Sequence, residues 1–339
     1  MLNKAFVDLN LLVKNAQAIK EKLNDGVKFC AVVKADAYGH GAVEVASALY
    51  PFVDCFAVAL YEEAITLRYA GIDKEILCLT PFFNQDLSGA VEYGLTATVC
   101  SARQVKDLNE CAKTHGKKAN IHIKFNAGMN RQGVDLKELA ELLVLIKGLD
   151  NINLGGMYAH FSCPENKNSR ISQVNKFLLA NNLVKSYNNN ATCHISASGG
   201  FLCGIQADMV RIGILLYGYK PFESDYLSVN PVMRVYAPVL EKRLLKKGQS
   251  ALYGECVCEK QTDLALVRYG YADGLNRNQV DGQFNNRCMD LTAYALNGEK
   301  VNEFYPVMIN ADELAKKYGT ISYEILSKVA LRAQKIYLR

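Results

Sequence analysis

Apolar and polar positions along the chain follow two alternating periods. Between residues 9 and 23, Leu9, Leu12, Val13, Ala16, Ile19 and Leu23 recur at helical spacing, and Asp25-Gly26 closes the element. A short apolar run, 29–33, reads as a strand covered on both faces. The couple then repeats: strand 55–60 with helix 62–70, strand 76–80 with helix 85–93, strand 96–100 with helix 103–113, strand 120–125 with helix 136–146, and strand 154–160 with helix 172–187. Gly71, Gly94 and Gly116 stand where three of these helices must stop. Strand signals at 193–197 and 209–215 bring the tally to about eight, the number that closes a (β/α)8 barrel of the TIM type. Periodicity alone also admits an open doubly wound sheet, since it does not count hydrogen-bonded neighbours. The tally favours the barrel.

After Tyr219 the texture changes. Proline and polar residues fill 221–231, and short strand-like runs such as 235–240 and 265–267 follow between glycine turns. This predicts an α/β barrel over residues 1–228 and a mainly β C-terminal domain over 229–339. One late helix, 311–318, opens at Asn310, which can cap it.

Composition narrows the class of protein. With 339 residues, 50% of them hydrophobic, the chain can bury a large core. The net charge of +5 is spread without a basic block, so neither nucleic acid nor an anionic membrane is expected as a partner. Residues 1–14 lack a signal-peptide pattern and no run is long enough to span a bilayer, which predicts a cytoplasmic protein. The cysteine count, 11, is odd, and Cys30, Cys55, Cys78 and Cys100 sit in strand-like runs, as reduced core residues do. Cys256 and Cys258 have no second pair at zinc spacing, so no metal is expected.

Candidate chemistry gathers at one end of the predicted barrel. Residues 31–41, A-V-V-K-A-D-A-Y-G-H-G, deliver Lys34 past a buried strand into a glycine-bracketed turn. Lys124, His160, Ser198 and Arg211 lie at or near the carboxyl ends of four other predicted strands, the rim where barrel ligands bind. Singly, each has a plainer reading. Lys34 fits a solvated charge, Lys124 and Arg131 fit two cations at a loop mouth, His160 a structural histidine and Arg211 a paired barrel arginine. Together they converge.

The 34–41 string resembles the pyridoxal-phosphate (PLP) lysine motif of alanine racemases, K-A-N-A-Y-G-H-G, with Asp36 in place of asparagine. The resemblance implies that Lys34 carries PLP as a Schiff base and that Tyr38 reaches its phosphate. Lys124 and the loop Gly128-Met129-Asn130-Arg131 resemble K-x-D/N-T-G-M-x-R, which implies that Arg131 meets the cofactor's phenolic oxygen and the substrate carboxylate, with Lys124 carbamylated to orient it. His160 matches a histidine that supports the arginine beneath the pyridine ring. His194-Ile195-Ser196-Ala197-Ser198 resembles H-x-A-N-S, with Ala197 replacing asparagine; Ser198 and the amides near Gly213 and Ile214 would bind phosphate. Arg211 lies in a string similar to M-V-R-x-G-I-x-L-Y-G and would face the pyridine nitrogen.

Tyr269-Gly270-Tyr271-Ala272-Asp273-Gly274 is similar to the family's G-Y-A-D-G, whose tyrosine, here Tyr271, is the second base opposite Lys34. Arg287-Cys288-Met289-Asp290 matches the segment in which the Met289 amide holds the substrate carboxylate and neighbouring side chains, Asp290 among them, narrow the pocket. In the family these residues and Tyr271 come from the neighbouring subunit, which implies a homodimer with shared sites. Tyr253-Gly254 resembles a Y-G element, and Tyr323 matches the phosphate-binding tyrosine of P-Y-E-x-L, with Ser322 for proline. Segment 274–287 is short for the family, the valine usual after Arg287 is missing, and Arg332-Ala333-Gln334-Lys335 replaces R-V-P-R.

The resemblance implies an isomerase, a PLP-dependent racemase interconverting L- and D-alanine for peptidoglycan. A broader racemase acting on serine or larger amino acids is the nearest rival. A decarboxylase of the same fold would want an acid where Arg211 stands, and a non-catalytic PLP carrier would need Lys34 but not Tyr271.

Overall fold

The computed structural model describes residues 1–253, 257–277, 287–296, 298 and 300–339. Its strands, in chain order, are β1 (Lys4–Asp8), β2 (Lys28–Val32), β3 (Cys55–Val58), β4 (Glu75–Cys78), β5 (Thr96–Val99), β6 (Ala119–Lys124), β7 (Ile152–Tyr158), β8 (Thr192–His194), β9 (Met209–Ile212), β10 (Met233–Leu245), β11 (Thr262–Val267), β12 (Thr292–Ala295), β13 (Phe304–Met308) and β14 (Gln334–Leu338). The chain divides into two compact units, one of Leu12–Ala37 and Ala42–Asn230, the other of Met1–Leu11, Tyr38–Gly41 and Pro231–Arg339.

In the first unit β2 to β9 form one parallel sheet in the order β8-β7-β6-β5-β4-β3-β2-β9. Its ends meet: Arg211 N–H donates to the Ser196 carbonyl at 3.0 Å, beside a parallel bridge between Ala197 and Arg211. Residues just past β8 thus bond to β9, and the sheet closes nearly completely into a barrel, unlike an open doubly wound sheet. Helices Ala42–Leu49, Tyr61–Tyr69, Asp86–Glu92, Ala102–Thr114, Leu136–Lys147 and Lys167–Tyr187 separate the strands. The last of these starts earlier than its apolar spacing predicts, because the Asn166 side chain caps it by accepting from Ser169 N–H. Strands β3, β5 and β9 are buried at every position: β3 is apolar throughout, while β5 and β9 also bury Thr96, Thr98 and Arg211. The same double covering buries Ile121, His122, Ile123 and Lys124 alike.

The second unit holds a sheet in the order β12-β11-β10-β1-β14, with β13 on β10. The sequence reading placed residues 1–11 with the barrel. Instead β1 pairs antiparallel with β10 and parallel with β14. Five residues of alternating burial are too short a signal to reveal partners from the far end of the chain. Helix Ala311–Tyr318 forms as expected, with Asn310 Oδ1 accepting Asp312 N–H at 2.9 Å, and an unforeseen helix, Ser322–Val329, follows. No described helix is long and apolar enough to cross a membrane. Cys30, Cys55 and Cys78 are buried free thiols and Cys100 is half-buried; Cys256 lies outside the described residues.

Candidate active site

Just past the end of β2 the chain makes a turn of the opposite hand to an ordinary helix. Ala35, Asp36 and Ala37 have φ of 52°, 51° and 52°, and Tyr38 follows at 54°. Left-handed helical backbone costs an L-residue about 1–2 kcal/mol, so the run has to be held. Ala35 N–H donates to Glu63 Oε1 at 2.5 Å and Ala37 N–H to the Val33 carbonyl at 2.9 Å. Glu63 Oε2 accepts the Ala59 and Leu60 amides at 2.7 and 3.0 Å, so one carboxylate fastens the Lys34 turn to the loop after β3. Asp36 Oδ1 accepts Ala42 N–H at 2.8 Å where the next helix begins. Aspartate and asparagine both supply that acceptor, so the departure at residue 36 keeps the geometry. Burial, and then the Arg131 guanidinium, hold the Lys34 amine below the ordinary lysine range, with Glu63 opposing. A more readily neutral amine is the form that condenses with a carbonyl.

Lys124, last in β6, lies over the Tyr158 ring with Nζ 4.2 Å from its centroid. Burial, Arg211 and Arg131 drive its amine well below the ordinary value. Arg131 is exposed on a loop folded by Asn126, whose Oδ1 accepts the Gly128 and Asn130 amides at 3.1 and 3.0 Å. Gly133, at φ 119°, brings that loop back onto the barrel: a Cβ there would lie 2.9 Å from the Lys124 carbonyl oxygen.

Arg211 in β9 is 2% exposed. Its guanidinium donates to the Ala159 carbonyl at 2.8 Å, to His194 Nδ1 at 2.6 Å and to His160 Nδ1 at 3.4 Å. A guanidinium has donors only, so both Nδ1 atoms must accept, which assigns the tautomers. His194 Nε2–H then donates to His122 Nδ1 at 3.0 Å, and His122 Nε2–H faces Glu75 Oε1 at 3.8 Å. Burial keeps these imidazoles neutral: His194 and His160 sit well below the usual range and His122 is lowered to about 4. Ser198 opens the short helix Ser198–Leu202 and its Oγ accepts Gly213 N–H at 3.3 Å, next to buried Ile214.

In the second unit Tyr38 and Tyr323 stand with ring centroids 6.0 Å apart. Gly39 permits this, since a Cβ at its φ of 81° would lie 2.3 Å from the Leu326 carbonyl oxygen. Burial raises both phenols, Tyr323 to about 12, so each keeps a proton to donate at neutral pH. Tyr271 opens a 3-10 turn, Tyr271–Asp273; its N–H donates to the Cys288 carbonyl at 3.1 Å and Ala272 N–H to the Met289 carbonyl at 3.0 Å. Tyr271, Met289 and Asp290 thus form one exposed group. Tyr253 is exposed as well, while Gly254 and residues 278–286 of the short segment lie outside the described residues.

The structure therefore brings Lys34, Lys124, Arg131, His160 and Arg211 within electrostatic reach of one another in the barrel. It sets Ser198 against Gly213, Tyr38 beside Tyr323, and Tyr271 beside Met289. Sequence reasoning missed Glu63, Glu75, His122 and His194 as supports. Glu63, three residues past Leu60, carries a weak helix-start signal; Glu75 and His122 look like ordinary strand residues, and His194 stands out only as the first residue of its motif. Among the described residues Arg211 bonds to carbonyls and imidazoles rather than to a carboxylate, and the carboxylate that acts on Lys34 is Glu63. Such a donor set, a lysine of lowered basicity among cations and hydroxyls, fits an aldehyde cofactor that bears a phosphate.

Family models for the N-terminal and C-terminal domains of alanine racemase match residues 7–221 and 232–337. The alanine racemase of Treponema denticola is 32% identical over 370 residues, covering 99% of this chain and 98% of that protein. Alanine racemase 2 of Caldanaerobacter subterraneus is 34% identical over 365 residues, covering 98% and 94%. The solved alanine racemase of Clostridium difficile 630 superposes with a TM-score of 0.92 at 30% identity, over 100% of this chain and 96% of that one. By its sequence and by its barrel, this chain belongs to the alanine racemase family of PLP-dependent isomerases.

Proposed function

We propose that the protein is a cytoplasmic, homodimeric alanine racemase that interconverts L- and D-alanine through two acid–base groups, Lys34 and Tyr271, and supplies D-alanine for peptidoglycan. The observation that carries the reading is the barrel's cationic group: a buried Arg211 bonded to carbonyls and imidazoles, among Lys34, Lys124 and Arg131. It suits a ligand with a phosphate and a carboxylate.

When bound, PLP supplies an aldehyde that captures amines and a ring that draws electrons from Cα. Lys34, its amine made less basic, holds the cofactor and moves the Cα proton on one face. Arg211, a guanidinium that carries donors only and does not deprotonate in proteins, would hold the ring nitrogen by a hydrogen bond without giving up its proton. A ring nitrogen held in that way would draw less charge from Cα and favour prompt return of the proton over transamination. Ser198, the amides at Gly213 and Ile214, and the hydroxyls of Tyr38 and Tyr323 are assigned to the phosphate. Arg131 and the Met289 amide are assigned to the substrate carboxylate, with Asp290 shaping the wall.

Tyr271 is assigned to the opposite face, in a site of the partner subunit on the family pattern. His160, with Nδ1 taken by Arg211, presents Nε2–H, a donor that stabilises a phenolate. Lys124, buried beside two arginines and readily neutral, is the form of amine that adds carbon dioxide; the carbamate is an anion between cations, and loss of carbon dioxide on acidification would reveal it in the mass.

Reconstituted with PLP and offered a panel of L-amino acids, the protein should abolish optical rotation fastest with alanine, and Lys34→Ala should lose both the absorbance of bound cofactor and the activity. Activity in Lys34→Ala refutes the assignment, and faster turnover of serine assigns the broader racemase.

A further inference from the structure

Two chain segments carry the groups assigned to the second base and the substrate wall, the Tyr271–Asp273 turn and residues 288–290. Arg332 ties them with one side chain. Its Nη2 donates to Asp290 Oδ1 at 2.9 Å and its Nε stands 3.4 Å from Asp273 Oδ1. Asp273 is 3% exposed and organises the turn from within: Oδ2 accepts Gly270 N–H at 2.8 Å and Oδ1 accepts Asn3 Nδ2 at 3.0 Å. Arg332 itself sits between helix Ser322–Val329 and β14, two regular elements that fix its backbone.

We propose that Arg332 is a positioning residue that clamps the Tyr271 turn to the Met289–Asp290 segment. The inference rests on the assignment of Tyr271 as a base. A planar guanidinium has donors on both edges and can span two carboxylates, which a lysine ammonium of similar reach does less well. The clamp leaves the Tyr271 phenol untouched and acts on its backbone, whose amides at 271 and 272 already bond to the Cys288 and Met289 carbonyls.

The test is Arg332→Ala and Arg332→Lys in the full-length holoenzyme. Hydrogen exchange of the Tyr271 and Ala272 amides should quicken in Arg332→Ala, and kcat/KM should fall by about 10- to 100-fold, the scale of a misplaced catalytic group; Arg332→Lys should fall between. The isotope effect with Cα-deuterated alanine should grow for one enantiomer, the one whose proton Tyr271 removes. Unchanged exchange at both amides, with or without a loss of rate, overturns the clamp, and so does quickened exchange at full activity. Tyr271→Phe run alongside separates the two ideas: its full activity defeats the assignment of the base, while amide exchange still decides the clamp.

Discussion

Arg211 decides the protonation of three histidines because it can only donate. His194 and His160 must accept from it, and His122 must accept from His194, so the row is neutral and directed towards Glu75. The pH dependence follows. His122 titrates at 6.5 in the unfolded chain and at about 4 when folded, so as pH falls through that window the unfolded chain takes the proton first and the fold weakens, by about 1.4 kcal/mol for each pH unit of separation. His122→Gln keeps an acceptor for His194 and removes the titration. Denaturant unfolding should show a shallower loss of stability between pH 6.5 and 4 in this variant; an unaltered acid limb would contradict the neutral row. Lys34 and Arg211 were legible in the sequence because each stands at a strand end, where polar residues are out of keeping with the apolar run. Their supports were not, since Glu63 meets Ala35 across 28 positions and His122 meets His194 across 72.

Strand–helix alternation was legible at the scale of elements because parallel strands covered on both faces leave apolar runs and their helices leave a 3.6-residue stripe. The left-handed turn at residues 35–38 was not, since alanine and aspartate do not announce positive φ as glycine does. That turn aims Lys34, and its strain points to function. Ala35→Gly should melt within a few degrees of the wild type, because the relief of strain offsets the added chain entropy. Ala35→Val, with a branched Cβ in the same conformation, should cost about 2 kcal/mol or more and weaken cofactor retention. Equal melting temperatures for the two variants would contradict a load-carrying left-handed turn.

For the whole molecule, a barrel with a mainly β domain was legible from the change of texture near residue 220. The place of β1 in the second sheet was not, because sheet partners at opposite ends of a chain leave no local trace. Homodimers with shared sites predict complementation. Lys34→Ala and Tyr271→Phe should each be inactive alone, but an equal mixture allowed to exchange subunits should recover about a quarter of wild-type activity, since half the dimers would be mixed with one of their two sites intact. No recovery, with exchange verified by mass, would place both bases in one subunit.

Racemisation of L-alanine by the PLP-loaded protein in heavy water tests the two-base reading most directly. Two groups on opposite faces predict D-alanine that carries deuterium at Cα from its first appearance, with formation nearly abolished in Tyr271→Phe. D-alanine that retains its original hydrogen, or that forms at the wild-type rate in Tyr271→Phe, would contradict it.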